Sequence, residues 1–177
     1  MPKTQRFILD RQATPIGDML LVADEAGVLR VLDWHDYEPR MHALLRRQYG
    51  AAPTLVPGRV PAAIRDELDA YYAGDLAALD RIPVAAGGTG FQREVWAALR
   101  GIPAGTTTTY SNLARRIGRA AAVRAVGAAN GANPIGVVVP CHRVIGTSGA
   151  LTGYGGGMDR KRWLLRHEGV AVDGGFA

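Results

Sequence analysis

Thr109-Tyr110-Ser111-Asn112-Leu113-Ala114-Arg115-Arg116-Ile117-Gly118-Arg119-Ala120-Ala121-Ala122-Val123-Arg124-Ala125-Val126-Gly127-Ala128-Ala129-Asn130 reads as a helix, a turn and a second helix. Ser111 can cap the first, which runs to about Ile117, and Gly118 ends it. The second runs from about Ala120 to Asn130. A helix that reads base sequence carries several Arg, Asn or Gln side chains aimed at base edges. This one carries Arg124 amid small apolar residues. The pattern fits a helix pressed closely on DNA without sequence preference, and it also fits an Ala-rich helix packed in a core. A lone arginine among small residues is an odd choice for a core and suits insertion into a base stack.

Downstream, Ile135–Val139 is a short apolar run that delivers Pro140-Cys141-His142, and the proline argues against a continuing central strand. Glycine-rich loops follow. A last helix is predicted from about Arg160 to His167, closed by Glu168-Gly169. Upstream, Thr89 can cap a helix through Arg100, with Phe91, Val95 and Leu99 on one face. Ala85-Ala86-Gly87-Gly88 is the expected boundary, giving a supporting unit over 1–86 and a second unit over 87–177. The first unit reads as mixed α/β, with strands over Gln5–Asp10, Met19–Ala23 and Val28–Trp34 and helices over Glu38–Tyr49 and Pro61–Tyr72. It holds no chemical constellation, and His35 and His42 are expected to be surface or packing residues. The fold class is therefore α/β in the α+β sense, with a mainly helical C-terminal half carrying the helix–turn–helix.

Charge divides along the same line. Residues 1–85 carry 10 Lys/Arg and 12 Asp/Glu, a net −2, whereas residues 86–177 carry 11 and 4, a net +7. A basic half joined to a neutral-to-acidic half suggests that the former meets a polyanion. No stretch of the 177 residues is long and apolar enough to span a bilayer, and Met1–Asp10 has no apolar signal core, so a soluble, cytoplasmic protein is expected. The single cysteine excludes an intramolecular disulfide and a cysteine-based zinc cluster.

That lone thiol is either inert filler or reactive. Cys141 and His142 are adjacent, and in a regular strand their side chains would point to opposite sides. Pairing needs a turn or a bridging water, and either route raises the thiolate fraction. Glu168, near the end of an element in the same half, is a candidate to fix the His142 tautomer. For an isolated Cys-His pair, a buried cysteine beside a satisfied histidine is the better reading.

The wider run changes that. Pro140-Cys141-His142-Arg143-Val144 resembles the active-site motif of the methylated-DNA–protein-cysteine methyltransferases. Thr109–Ala114 resembles that family's tyrosine segment, Val123–Gly127 its DNA-binding helix and Asn133-Pro134 its asparagine hinge. Gly153–Gly157 resembles its substrate loop, and Trp163–Gly169 its closing helix with the glutamate. The likeness is strong over about 89–170 and loose before that, through Thr14-Pro15-Ile16-Gly17. It implies that Cys141 accepts the alkyl group, with His142 as base through a water and Glu168 orienting it. Asn133 would brace the loop, and Tyr110 would donate a proton or hydrogen bond to the departing guanine. The backbone at Cys141 and Val144, with Tyr154 and Gly155, would line the base pocket. Arg124 would replace the extruded nucleotide, with Ser111, Ala125 and Gly127 on the DNA side.

The resemblance further implies DNA repair by direct reversal: a single, irreversible transfer from guanine O6 to Cys141. The expected partner is duplex DNA containing O6-alkylguanine, bound as a monomer with little sequence preference and without cofactor or metal. Departures are Gly155, where some relatives have serine, and Thr152, which is expected to narrow the pocket mouth. The alternative is a non-catalytic lesion-binding relative, against which Cys141 itself argues. A cysteine hydrolase would need an oxyanion hole, for which there is no separate signal. A transcriptional regulator would need base-reading side chains and a dimerisation helix.

Overall fold

The computed structural model describes residues 5–50 and 53–172. They form two compact units. One takes in the chain up to Gly88 together with Pro134–Val138; the other takes in Thr89–Asn133 and the chain from Val139 onward.

The first unit is a four-stranded sheet with two helices. β1 (Arg6–Thr14) pairs antiparallel with β2 (Gly17–Asp24), and β2 pairs antiparallel with β3 (Leu29–Trp34). β4 (Thr54–Pro57) joins the far side of β1 in parallel, giving the order β3-β2-β1-β4. Met19, Leu20, Leu21, Val22 and Ala23 of β2 are all buried. Such a continuous apolar run, rather than an alternating one, belongs to a strand covered on both faces. Leu20 and Val22 pack with Phe7, Val31, Met41 and Leu45, which brings in α1 (Glu38–Tyr49). The opposite face meets α2 (Ala62–Tyr72), where Gln12 donates to Asp69 Oδ1 at 2.7 Å and the Tyr72 hydroxyl donates to Met19 Sδ at 3.6 Å.

Pro134–Val138 lies along β3: Leu32 N–H donates to the Pro134 carbonyl at 3.0 Å, and Gly136 N–H donates to the Leu32 carbonyl at 3.1 Å. Val137, at φ 68°, is the non-glycine residue of positive φ among the described residues. A β-branched side chain there is strained, by about 1–3 kcal/mol, and its complete burial holds it.

The second unit is mainly helical. Its helices are α3 (Gly90–Arg100), α4 (Tyr110–Arg116), α5 (Val123–Gly131) and α6 (Met158–His167). β5 (Thr108–Thr109) pairs in parallel with β6 (Val144–Ile145). Thr89 and Gln92 form a reciprocal capping box that starts α3, as its residue types predict. Trp96 of α3 donates its indole N–H to the Ala129 carbonyl of α5 at 2.8 Å, tying the two helices together in the core.

Several sequence expectations are corrected. Thr109, not Ser111, caps α4, accepting from Asn112 N at 3.1 Å. The β5–β6 pairing fixes Thr109 as the last extended residue, so the helix begins one residue later. The second helix of the pair starts at Val123 rather than Ala120, and α6 starts at Met158 rather than Arg160. β1 continues past Asp10 to Thr14, where Thr14-Pro15-Ile16-Gly17 makes the hairpin turn.

Candidate active site

The chain enters the site through a constricted loop. Asn133 Nδ2 donates to the Val139 carbonyl at 2.8 Å, closing the neck of the excursion that carries 134–138 away to β3. Cys141 N–H then donates to the Val139 carbonyl at 2.8 Å, and a 3-10 turn spans Cys141–Arg143. The turn takes Cys141 and His142 out of regular strand geometry. Cys141 is 8% exposed, while His142 is fully buried.

α6 supplies what His142 faces. Lys161, Leu164, Leu165 and Glu168 recur at helical spacing and are buried on one side. Gly169, at φ 88°, ends the helix by taking the left-handed conformation, and this leaves Glu168 turned inward. His142 Nε2 lies 3.0 Å from Glu168 Oε2. Arg143 grips the same carboxylate bidentately, Nε to Oε1 at 2.8 Å and Nη2 to Oε2 at 2.8 Å, and its Nη1 donates to the Ile102 carbonyl. Arg143 stands in the motif around Cys141, but the sequence reading gave it no role.

The electrostatics assign the protons. Burial, the largest influence on Glu168, opposes its charge, yet His142 and the Arg143 guanidinium outweigh it and hold the carboxyl well below the usual carboxylate range. Burial dominates at His142 and lowers its pKa, with Glu168 opposing and the positive Arg143 and Lys161 adding to the fall. His142 is thus a neutral imidazole at neutral pH. Because ionised Glu168 can only accept, Nε2 carries the proton. The basic lone pair is on Nδ1, which is buried and meets no hydrogen-bond partner among the described residues.

Lys161 is the second residue that the sequence reading missed. It is fully buried, and its Nζ donates to the Val144 carbonyl at 2.7 Å and to the Thr152 carbonyl at 3.1 Å. Burial pushes its ammonium down to about 8, with attraction to Cys141 acting in the opposite direction.

A cleft of about 560 Å³ is lined by Tyr110, Val123, Gly127, Asn130, Gly131, Thr152, Gly153 and Gly155. Tyr110 and Thr152 are joined across it, hydroxyl to hydroxyl, at 2.7 Å. Of the predicted residues, Tyr110, Gly127 and Gly155 line this cleft, whereas Cys141, Val144 and Tyr154 are not among its lining residues. The Tyr154 ring lies edge-on to His142 at 6.5 Å between centroids. Arg124 and Ala125 are exposed on α5, and Ser111 is half-buried on α4.

The DNA-binding domain of 6-O-methylguanine DNA methyltransferase matches residues 90–170. The methylated-DNA–protein-cysteine methyltransferase of Salmonella typhimurium is 52% identical over 168 residues, which cover 94% of this chain and 98% of that protein. The chain belongs to the methylated-DNA–protein-cysteine methyltransferase family. Likeness to this methyltransferase family extends to solved structures. The Mycobacterium tuberculosis O6-methylguanine methyltransferase superposes with a TM-score of 0.74 at 40% identity, over 95% of this chain and 96% of that one. The Mycobacterium tuberculosis protein solved in complex with DNA gives 0.73 at 41% identity, over 91% and 92%. No helix among the described residues is long and apolar enough to cross a membrane.

Proposed function

We propose that this protein repairs alkylated DNA by taking a methyl group from guanine O6 onto Cys141 of the same chain, once per molecule. The observation that carries the reading is the buried Arg143–Glu168–His142 chain. It leaves a neutral histidine, whose basic nitrogen meets no partner among the described residues, one residue from the chain's single cysteine.

Guanine O6 lies inside the duplex, so the nucleotide must be extruded, and unstacking costs roughly a few kcal/mol. Exposed Arg124 on α5 is the side chain to fill the gap. His142 Nδ1 takes the Cys141 proton through a bridging water. The thiolate attacks the methyl carbon in line, an S–C bond forms, the C–O6 bond breaks and its electron pair passes to the guanine. Tyr110 donates toward the charge that develops there. Asn133 braces the neck before Cys141, and the half-exposed helix pair α4–α5 rests on duplex DNA without reading sequence. The product is a thioether. It offers no acyl carbon for water to attack, so no second turnover follows. The protein acts as a cytoplasmic monomer.

The test is an intact mass after mixing with excess duplex carrying one O6-methylguanine, followed by peptide mapping. A gain of one CH₂ on the Cys141 peptide, saturating at one per molecule, is expected. Lesion binding without any mass gain would move the reading to a non-catalytic lesion sensor.

A further inference from the structure

Lys161 is one of two lysines in a chain otherwise furnished with arginine, and it is wholly buried. An ammonium is costly to take out of water and needs its hydrogen bonds to offset that cost, so its position calls for a reason beyond filling space. Its Nζ joins two segments. One is β6, where Val144 follows the Cys141 turn and pairs with Thr108, just before Tyr110 opens α4. The other is the loop from Gly146 to Gly157, six of whose twelve residues are glycine. Such a loop loses much conformational freedom on ordering and needs a tie to hold one shape. The tie falls on Thr152, whose hydroxyl meets the Tyr110 hydroxyl.

We infer that Lys161 is a positioning residue for the transfer: its ammonium fixes the Thr152 carbonyl against the Val144 carbonyl, and so sets where the Tyr110 hydroxyl stands relative to Cys141. The chain of contacts runs Lys161 to Thr152 to Tyr110, and α6 with its C-terminal cap thereby carries both the residue that orients His142 and the residue that orients Tyr110. This inference rests on the reading that Cys141 accepts the alkyl group and Tyr110 donates to the guanine.

The experiment is a double-mutant cycle on the full chain with Lys161→Met, Tyr110→Phe and the double variant. Single-turnover transfer is followed at saturating O6-methylguanine duplex, alongside duplex affinity and melting temperature. Lys161→Met is expected to slow transfer about 10²-fold, the scale of a misplaced catalytic group, with Kd changed by less than about threefold. In the double variant the losses overlap, so that it is within about threefold of the slower single, because contacting groups acting as a unit are not additive. Losses that multiply, a matching fall in affinity, or transfer at the wild-type rate would each overturn the inference. If Lys161→Met does not fold, Lys161→Gln, which keeps a donor, enters the same cycle; failure of both to fold assigns Lys161 to folding and overturns it too. A wild-type protein that gains no methyl on Cys141 fails the functional reading itself, whereas a methylated wild type with an equally fast Lys161→Met fails this inference alone.

Discussion

At the scale of the residue, Glu168 is the charge on which the site turns. It accepts from His142 and from both arms of Arg143, all buried. Glu168→Gln keeps the volume but leaves the Arg143 guanidinium without its counter-charge. Breaking a buried pair in this way costs about 3–5 kcal/mol, to be read from urea denaturation. The glutamine can also donate to His142 Nε2, which moves the imidazole proton to Nδ1 and removes the base. Transfer should fall by about 10²-fold or more, the usual contribution of a general base; an unchanged rate in a folded variant would show that His142 needs no such orientation. Cys141→Ser asks a separate question. A hydroxyl is too weakly acidic to supply the nucleophile that a thiolate provides, so the mass gain should vanish while binding to a lesion duplex persists.

At the scale of the element, α5 is the part that meets DNA in the proposed mechanism, and Arg124 should matter only where a stack must be filled. Arg124→Ala is expected to slow transfer from duplex O6-methylguanine by about tenfold or more, as follows if the side chain offsets part of the unstacking cost, and to leave the reaction with the free modified base unchanged. Equal slowing on both substrates would remove Arg124 from the extrusion step. The elements differ in how far they could be read beforehand. α1 and α3 are legible at their bounds because periodicity, and in α3 the Thr89–Gln92 capping box, are local signals. β4 is not, because four residues around Leu55 gain their meaning from pairing with β1 far back in the chain. The α4 cap was misplaced because Thr109 and Ser111 are both able caps, and pairing of β5 with Val144 decides between them. The motif around Cys141, with Glu168, was legible as a pattern. Arg143 and Lys161 were not, since nothing local marks a charged side chain as turned inward.

At the scale of the whole molecule, three buried groups, Lys161, His142 and Glu168, tilt stability the same way with pH. Lys161 has an ordinary value of 10.5 and is depressed to about 8 in the fold. Between those values the unfolded chain holds a proton that the folded chain has released, so stability rises with pH across that window. Below about 8 both states are protonated, and the fold carries the full cost of the buried charge. His142, lowered from 6.5, and Glu168, lowered from 4.5, act at the acid end. There too the unfolded chain binds the proton first, so stability falls as pH drops below each ordinary value. Melting temperature should therefore decline from pH 7 to pH 4. It should rise by a few degrees between about pH 8 and pH 10.5, as expected for about 1 kcal/mol or more in a chain of this length. Other groups titrate in the alkaline range, so the comparison that isolates Lys161 is with Lys161→Met, in which the alkaline rise should flatten. A rise of equal size in the variant would mean that the ammonium is not the source, and a fall in the wild type alone would mean that the fold favours the charged form of Lys161.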